Sequence, residues 1–149
     1  MNHDPLRLLH EVADAVAAAF AAVDDFGPSG LRDGQYSLDV VANDAALRVL
    51  RAAGVGVLSE ESDFEPGSTG EVVIIDPIDG STNASRGVRY YATALCLVDQ
   101  DGAAAALVAN QATGERYWAT RGGGAFRDGV RLGPTSCTDM HDAIIGMNG

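Results

Sequence analysis

The sequence predicts an α+β domain: two N-terminal amphipathic helices packed on one face of a largely antiparallel sheet. Three observations carry this. Apolar residues recur every three or four positions up to Ala53, whereas from Gly54 onward they fall in short β-rich runs between turn residues, a change of period from helix to strand. Helices first and strands afterwards is the order of an α+β layer rather than of alternating parallel units. With 149 residues, 46% of them hydrophobic, residues 1–149 suit one compact domain.

Asp4 is placed to cap the first helix, with Pro5 at its first position, where the missing N–H costs nothing. Leu6, Leu9, Val12, Ala13, Val16, Phe20 and Val23 form the apolar stripe, and Gly27-Pro28 should end it. A polar loop with Ser29, Gly30, Asp33 and Gly34 follows. The second helix is expected over 40–53 through Val41, Ala45, Leu47, Val49 and Leu50, with Asp39 as its N-cap and Gly54 as its stop. Strands are expected at 55–58, 71–75, 92–98, 104–108 and 116–119, with Asp101-Gly102 and Asp128-Gly129 as hairpin turns. A hairpin-like segment, 121–132, comes next, and a further strand should begin at 143–146. Tyr90, Tyr91 and Trp118 are read as strand packing, and His3, His10 and His141 as surface residues.

Charge narrows the partners. Ten Lys and Arg against 21 Asp and Glu leave a formal charge of −11, which repels a nucleic-acid backbone or an anionic membrane. Divalent cations would be attracted. Cys96 and Cys137 lack CxxC spacing and are expected to be reduced packing thiols. The longest apolar run, 15–23, falls well short of the roughly 20 residues that span a bilayer. Acidic residues precede it where an export signal carries positive charge, so a cytoplasmic protein is expected.

The most informative window is 74–83. An apolar strand runs into Asp76, Pro77 interrupts the regular ladder, and Asp79 follows in the turn. Two carboxylates thus converge at a strand end. Gly80, Ser81 and Thr82 come next, and their backbone N–H groups can cradle an anion. Carboxylates beside an anion cradle make electrostatic sense with cations between them, which describes a metal-dependent phosphate site. Magnesium takes oxygen ligands; Asp76 could bridge two ions, Asp79 could hold one, and the Ile78 carbonyl could supply a neutral ligand. A third carboxylate is expected from Glu60-Glu61, and only one of these neighbours should face the metals, because successive side chains alternate.

Residues 76–83 resemble the DPxDGTxN signature of the inositol monophosphatase family, the magnesium-dependent, lithium-sensitive phosphatases. Ser59-Glu60-Glu61-Ser62 is similar to that family's GEES segment, residues 39–44 to its DxVTxxD segment, and 122–126 to its GxGAF stretch. The resemblance implies two or three Mg²⁺ ions, with Glu60, Asp76 and the Ile78 carbonyl on the first and Asp76 and Asp79 on the second; Asp63 and Glu65 are read separately as an acidic loop near the site where a weaker third could sit. The resemblance also implies phosphate binding by Gly80, Ser81 and Thr82, and a Ser81 hydroxyl that works with Glu60 and is paired with Asp44 to activate water. Serine replaces the family's usual threonine at 81, and Gly34 stands where a lysine is usual.

The implied activity is hydrolysis of a small phosphorylated polyol or sugar, inositol 1-phosphate first. Fructose 1,6-bisphosphatase, histidinol-phosphatase and nucleotide 3′-phosphatase are the alternatives, and a non-catalytic metal-binding fragment is the alternative of another class. The implied fold is the first layer of the sugar phosphatase αβαβα architecture. The family's WDxAAG motif has no counterpart, so residues 1–149 are read as the N-terminal catalytic domain without the C-terminal one. The sheet face left uncovered then predicts a homodimer.

Overall fold

The computed structural model describes residues 4–145. Helix α1 (Pro5–Phe20) and helix α2 (Ser37–Ala53) precede strands β1 (Gly56–Ser59) and β2 (Val72–Asp79). A short helix α3 (Ser81–Ser85) is followed by β3 (Ala92–Asp99), β4 (Gly102–Asn110), β5 (Arg116–Thr120), β6 (Gly124–Arg127) and β7 (Val130–Arg131). The strands form one sheet in chain order. β1 runs parallel to β2, and every other neighbouring pair is antiparallel, so the α+β reading holds.

Both helices begin on aspartate contacts. Asp4 Oδ1 accepts from the Leu6 and Arg7 N–H groups at 3.0 and 3.4 Å. At α2 the N-cap is Tyr36 rather than Asp39; Asp39 sits in the first turn and reaches back, its Oδ2 accepting from the Tyr36 N–H at 2.8 Å. This is half of a capping box, and it starts the helix three residues earlier than its apolar period suggests. α1 stops at Phe20, well before Gly27-Pro28. The Asp25 carboxylate accepts from the Gly27 N–H at 2.8 Å, a local bond that competes with helix, and Phe26 turns back edge-on to Phe20, with ring centroids 5.7 Å apart.

The core lies between the helices and one sheet face. Leu9, Val12 and Val16 of α1 and Leu38 and Leu50 of α2 meet Val73, Ile75, Leu95, Leu97 and Leu107, all buried. Burying such side chains stabilises by about 1.5–3 kcal/mol each. The opposite face is uncovered among the described residues: Leu58, Ile74, Cys96, Ala106, Ala119 and Ala125 form one cross-strand row, and Leu58 and Ile74 are more than 40% exposed.

Three readings need correction. His10 is not a free surface residue: its ring packs edge-on against Trp118 at 5.4 Å, and its Nδ1 accepts from Arg116 at 3.1 Å. His141 is exposed, and His3 lies outside the described residues. Tyr91 stacks on Phe20 with ring centroids 5.3 Å apart, but Tyr90 is exposed and precedes β3. No strand forms over 143–145, which have no neighbouring strand to pair with among the described residues; residue 146 lies outside them. No helix among the described residues is long and apolar enough to cross a membrane.

Candidate active site

Parallel pairing of β1 and β2 brings the carboxyl ends of both strands to one edge of the sheet. Ser59 is in register with Ile75, and the Glu60 N–H extends the ladder to the Ile75 carbonyl at 3.1 Å. Glu60 therefore follows β1 at the level where Asp76 follows Ile75. Beyond Asp76 the register slips: Asp76 opposes Ala94 and Asp79 opposes Ala92, so three steps on β2 match two on β3. Pro77 has no N–H for the ladder, which makes it a natural place for such a bulge. The buried Thr93 hydroxyl donates to the Pro77 carbonyl at 2.8 Å and locks the irregular turn.

Gly80 then redirects the chain into α3 with φ 90°, and a Cβ there would lie 2.8 Å from the Tyr90 carbonyl oxygen. Only glycine fits both constraints. The first intrahelical bond of α3 runs from Ala84 N–H to the Gly80 carbonyl, which leaves the N–H groups of Ser81 and Thr82 free of that ladder. Ser81 Oγ donates to the Ile78 carbonyl at 2.8 Å, and Thr82 Oγ1 lies 3.3 Å from the Tyr36 hydroxyl.

These elements surround a polar cavity of about 360 Å³, whose walls include Asp33, Asp39, Glu60, Glu61 and residues 80–83. Its electrostatics are unbalanced. Asp76 is half-buried beside the Glu60 side chain, with the charges of Asp79 and Glu61 also in range. Burial first, then the adjoining Glu60 side chain, then these like charges push its carboxyl up to about 8. The Asp76 carboxyl is thus pushed toward its neutral form where the sequence places a cation. Asp79 acts on the pair through space; among the described residues no three acidic, histidine or cysteine side chains close into a metal cage. The donor set is nonetheless all oxygen, negatively charged and short of positive neighbours, which suits a hard divalent ion.

The expected Ser81–Asp44 pair is not formed. Asp44 lies on α2 five residues after Asp39, about 140° further round the helix at 100° per residue, and it is exposed, with its charge acting on Arg51. Asp39 takes its place at the cavity. It is 2% exposed, and its Oδ1 has no hydrogen-bond partner. The 39–44 segment includes Asp39, but the sequence reads that residue as an N-cap, a structural role. Glu65, expected near a third ion, is instead gripped by Arg51 at 2.6 and 2.8 Å. The glycine-rich stretch at 122–126 makes the turn from β5 into β6 and does not line this cavity.

Sequence and fold both match one family of known proteins. The inositol monophosphatase family model matches residues 10–147. A fructose-1,6-bisphosphatase/inositol-1-monophosphatase from Archaeoglobus fulgidus is 37% identical, covering 97% of this chain and 60% of its own length. A histidinol-phosphatase from Mycobacterium tuberculosis is 32% identical, covering 99% of this chain and 62% of the relative. The crystal structure of extragenic suppressor protein suhB from Bartonella henselae superposes with a TM-score of 0.79 at 25% identity, over 92% of this chain and 56% of that one. The chain belongs to the inositol monophosphatase family. It spans about 60% of the length of these two curated relatives.

Proposed function

We propose that this chain carries the metal- and phosphate-holding part of a magnesium-dependent phosphomonoesterase acting on small phosphorylated polyols or sugars, with inositol 1-phosphate as the first substrate. One observation carries the reading: Glu60 and Asp76 are pressed together at the carboxyl ends of two parallel strands, with Asp79 in range, beside the Gly80–Ser81 turn. The names of the relatives, inositol-1-monophosphatase, fructose-1,6-bisphosphatase and histidinol-phosphatase, support the class of substrate.

Glu60, Asp76, Asp79 and the Ile78 carbonyl would hold the magnesium. When bound, it supplies charge neutralisation at the phosphoryl oxygens and acidifies water. The N–H groups of Gly80, Ser81 and Thr82 orient the phosphate. Serine lacks the β-methyl that stiffens χ1 in threonine, so the Ser81 hydroxyl can rotate from the Ile78 carbonyl into the cavity. There it orients the attacking water and passes a proton to a carboxylate. Asp39, buried with one unpartnered oxygen, is that acceptor in place of Asp44. A positioned proton acceptor contributes roughly 10²–10⁴ in rate.

Phosphate release from inositol 1-phosphate, fructose 1,6-bisphosphate, histidinol phosphate and a nucleoside 3′-phosphate, with and without Mg²⁺, tests the proposal. Magnesium-dependent release that Asp79→Asn abolishes supports it. No release from any of the four at millimolar magnesium refutes the catalytic reading and favours a metal-binding module.

A further inference from the structure

We infer that Arg32 and Gln35, on the loop joining α1 to α2, are positioning residues: they anchor Glu61 so that the neighbouring Glu60 carboxylate is aimed at the metal position. This rests on the metal-holding role proposed above and assigns it a support from outside the acidic motifs.

Glu60 and Glu61 are adjacent on one turn, so the side chain that is tied down determines where the other points. Glu61 is the one tied down. Its side chain is 10% exposed, and Oε2 accepts from Gln35 Nε2 at 2.5 Å and from Arg32 Nη2 at 2.9 Å. The same Arg32 nitrogen donates to the Glu60 carbonyl at 3.2 Å. Behind the turn, the Glu61 N–H donates to Ser59 Oγ at 3.1 Å, and Ser59 Oγ donates to the buried Asn43 side chain at 2.7 Å. With its own N–H on the Ile75 carbonyl, Glu60 is held on both sides, and only its side-chain torsions remain free.

The loop is built to deliver this grip. Its base is closed by Ser29 N–H to the Gln35 carbonyl at 2.8 Å and by Ser37 N–H to the Gly27 carbonyl at 2.9 Å. Gly30 and Gly34, both at positive φ, bracket the stretch that carries Arg32 across the cavity mouth.

Arg32 is also the cationic side chain on a cavity wall that otherwise carries Asp33, Asp39, Glu60 and Glu61. Charge and position therefore pull in opposite directions. Were Arg32 only a counter-charge, its removal would tighten cation binding. If it positions Glu60, its removal loosens binding, and partners that orient metal ligands are worth roughly 10- to 100-fold in affinity.

Manganese, titrated into the purified 149-residue chain and followed by electron paramagnetic resonance, reads the sign directly. Arg32→Ala is expected to weaken Mn²⁺ binding about tenfold, and Arg32→Lys, which keeps the charge and a donor, to recover most of the loss. The Arg32 side chain is half exposed, so the metal-free melting temperature of both variants should match the parent, which separates positioning from loss of fold. Binding left unchanged or tightened by Arg32→Ala overturns the inference while the metal site stands. No Mn²⁺ binding by the parent chain overturns the metal site and the inference with it.

Discussion

Replacing Asp76 by asparagine should make the metal-free protein more stable at pH 8 while removing its response to magnesium. In the folded chain the Asp76 carboxyl is raised from its usual 3.8 to about 8 by burial, by the adjoining Glu60 side chain and by the charges of Glu60, Asp79 and Glu61. The folded state therefore holds a proton that the unfolded state has released between those two values. Stability from this group is full below about pH 4 and is lost as pH rises through about 8. Taken whole, the displacement is worth about 6 kcal/mol at 1.36 kcal/mol per pH unit. Asp76 is only half-buried and water screens its neighbours, so about 2 kcal/mol is the working figure. Asparagine keeps the shape and cannot ionise. At a few degrees per kcal/mol for a chain of this size, Asp76→Asn should melt about 6 °C higher than the parent at pH 8 without metal, and within about 1 °C of it at pH 4. Scanning calorimetry across that range, with and without Mg²⁺, gives the readout. The parent should gain stability from magnesium by mass action, and the variant should gain little. An Asp76→Asn protein that melts no higher at pH 8, or that magnesium stabilises as much as the parent, would refute the argument that crowded carboxylates await a cation here.

Asp39→Asn should lower magnesium-dependent phosphate release by about 10²-fold or more and Asp44→Asn by less than twofold; the reverse order would return the proton-accepting role to Asp44. Burial first, then Arg116, holds the His10 imidazolium below its ordinary 6.5, so its contribution to stability is present above that pH and fades as the solution is acidified. His10→Gln should flatten the fall in melting temperature between pH 7 and 5, and an unaltered slope would exclude His10 as its source. The uncovered sheet face should make the 149-residue chain self-associate, with Ile74→Asp or Leu58→Asp shifting light scattering toward monomer; a monodisperse parent monomer would contradict this.

Asp76, Pro77, Asp79, Gly80 and Ser81 were legible as a site because their relation is local. A proline that breaks a ladder, a glycine at positive φ and two carboxylates three residues apart converge whatever the rest of the chain does. The same holds for the apolar stripes of α1 and α2 and for the hairpins at Gly102 and Gly129. The end of α1 was less legible, since Asp25 and Phe26 make their competing contacts only once the chain has turned back on Phe20.

Sequence alone determined that helices precede an antiparallel sheet and that acidic groups crowd the glycine turn at 80, because periodicity and turn chemistry act over a few residues. Tertiary structure decided which carboxylate lies where. Asp39 rather than Asp44 meets the cavity because of how α2 is rotated against β2. Glu61 is tied into the cavity wall by Arg32, 29 positions upstream, and Glu60 meets Asp76 because β1 and β2 are paired in parallel and end together. Those choices rest on packing angles and on bonds between distant segments, which a linear pattern does not encode.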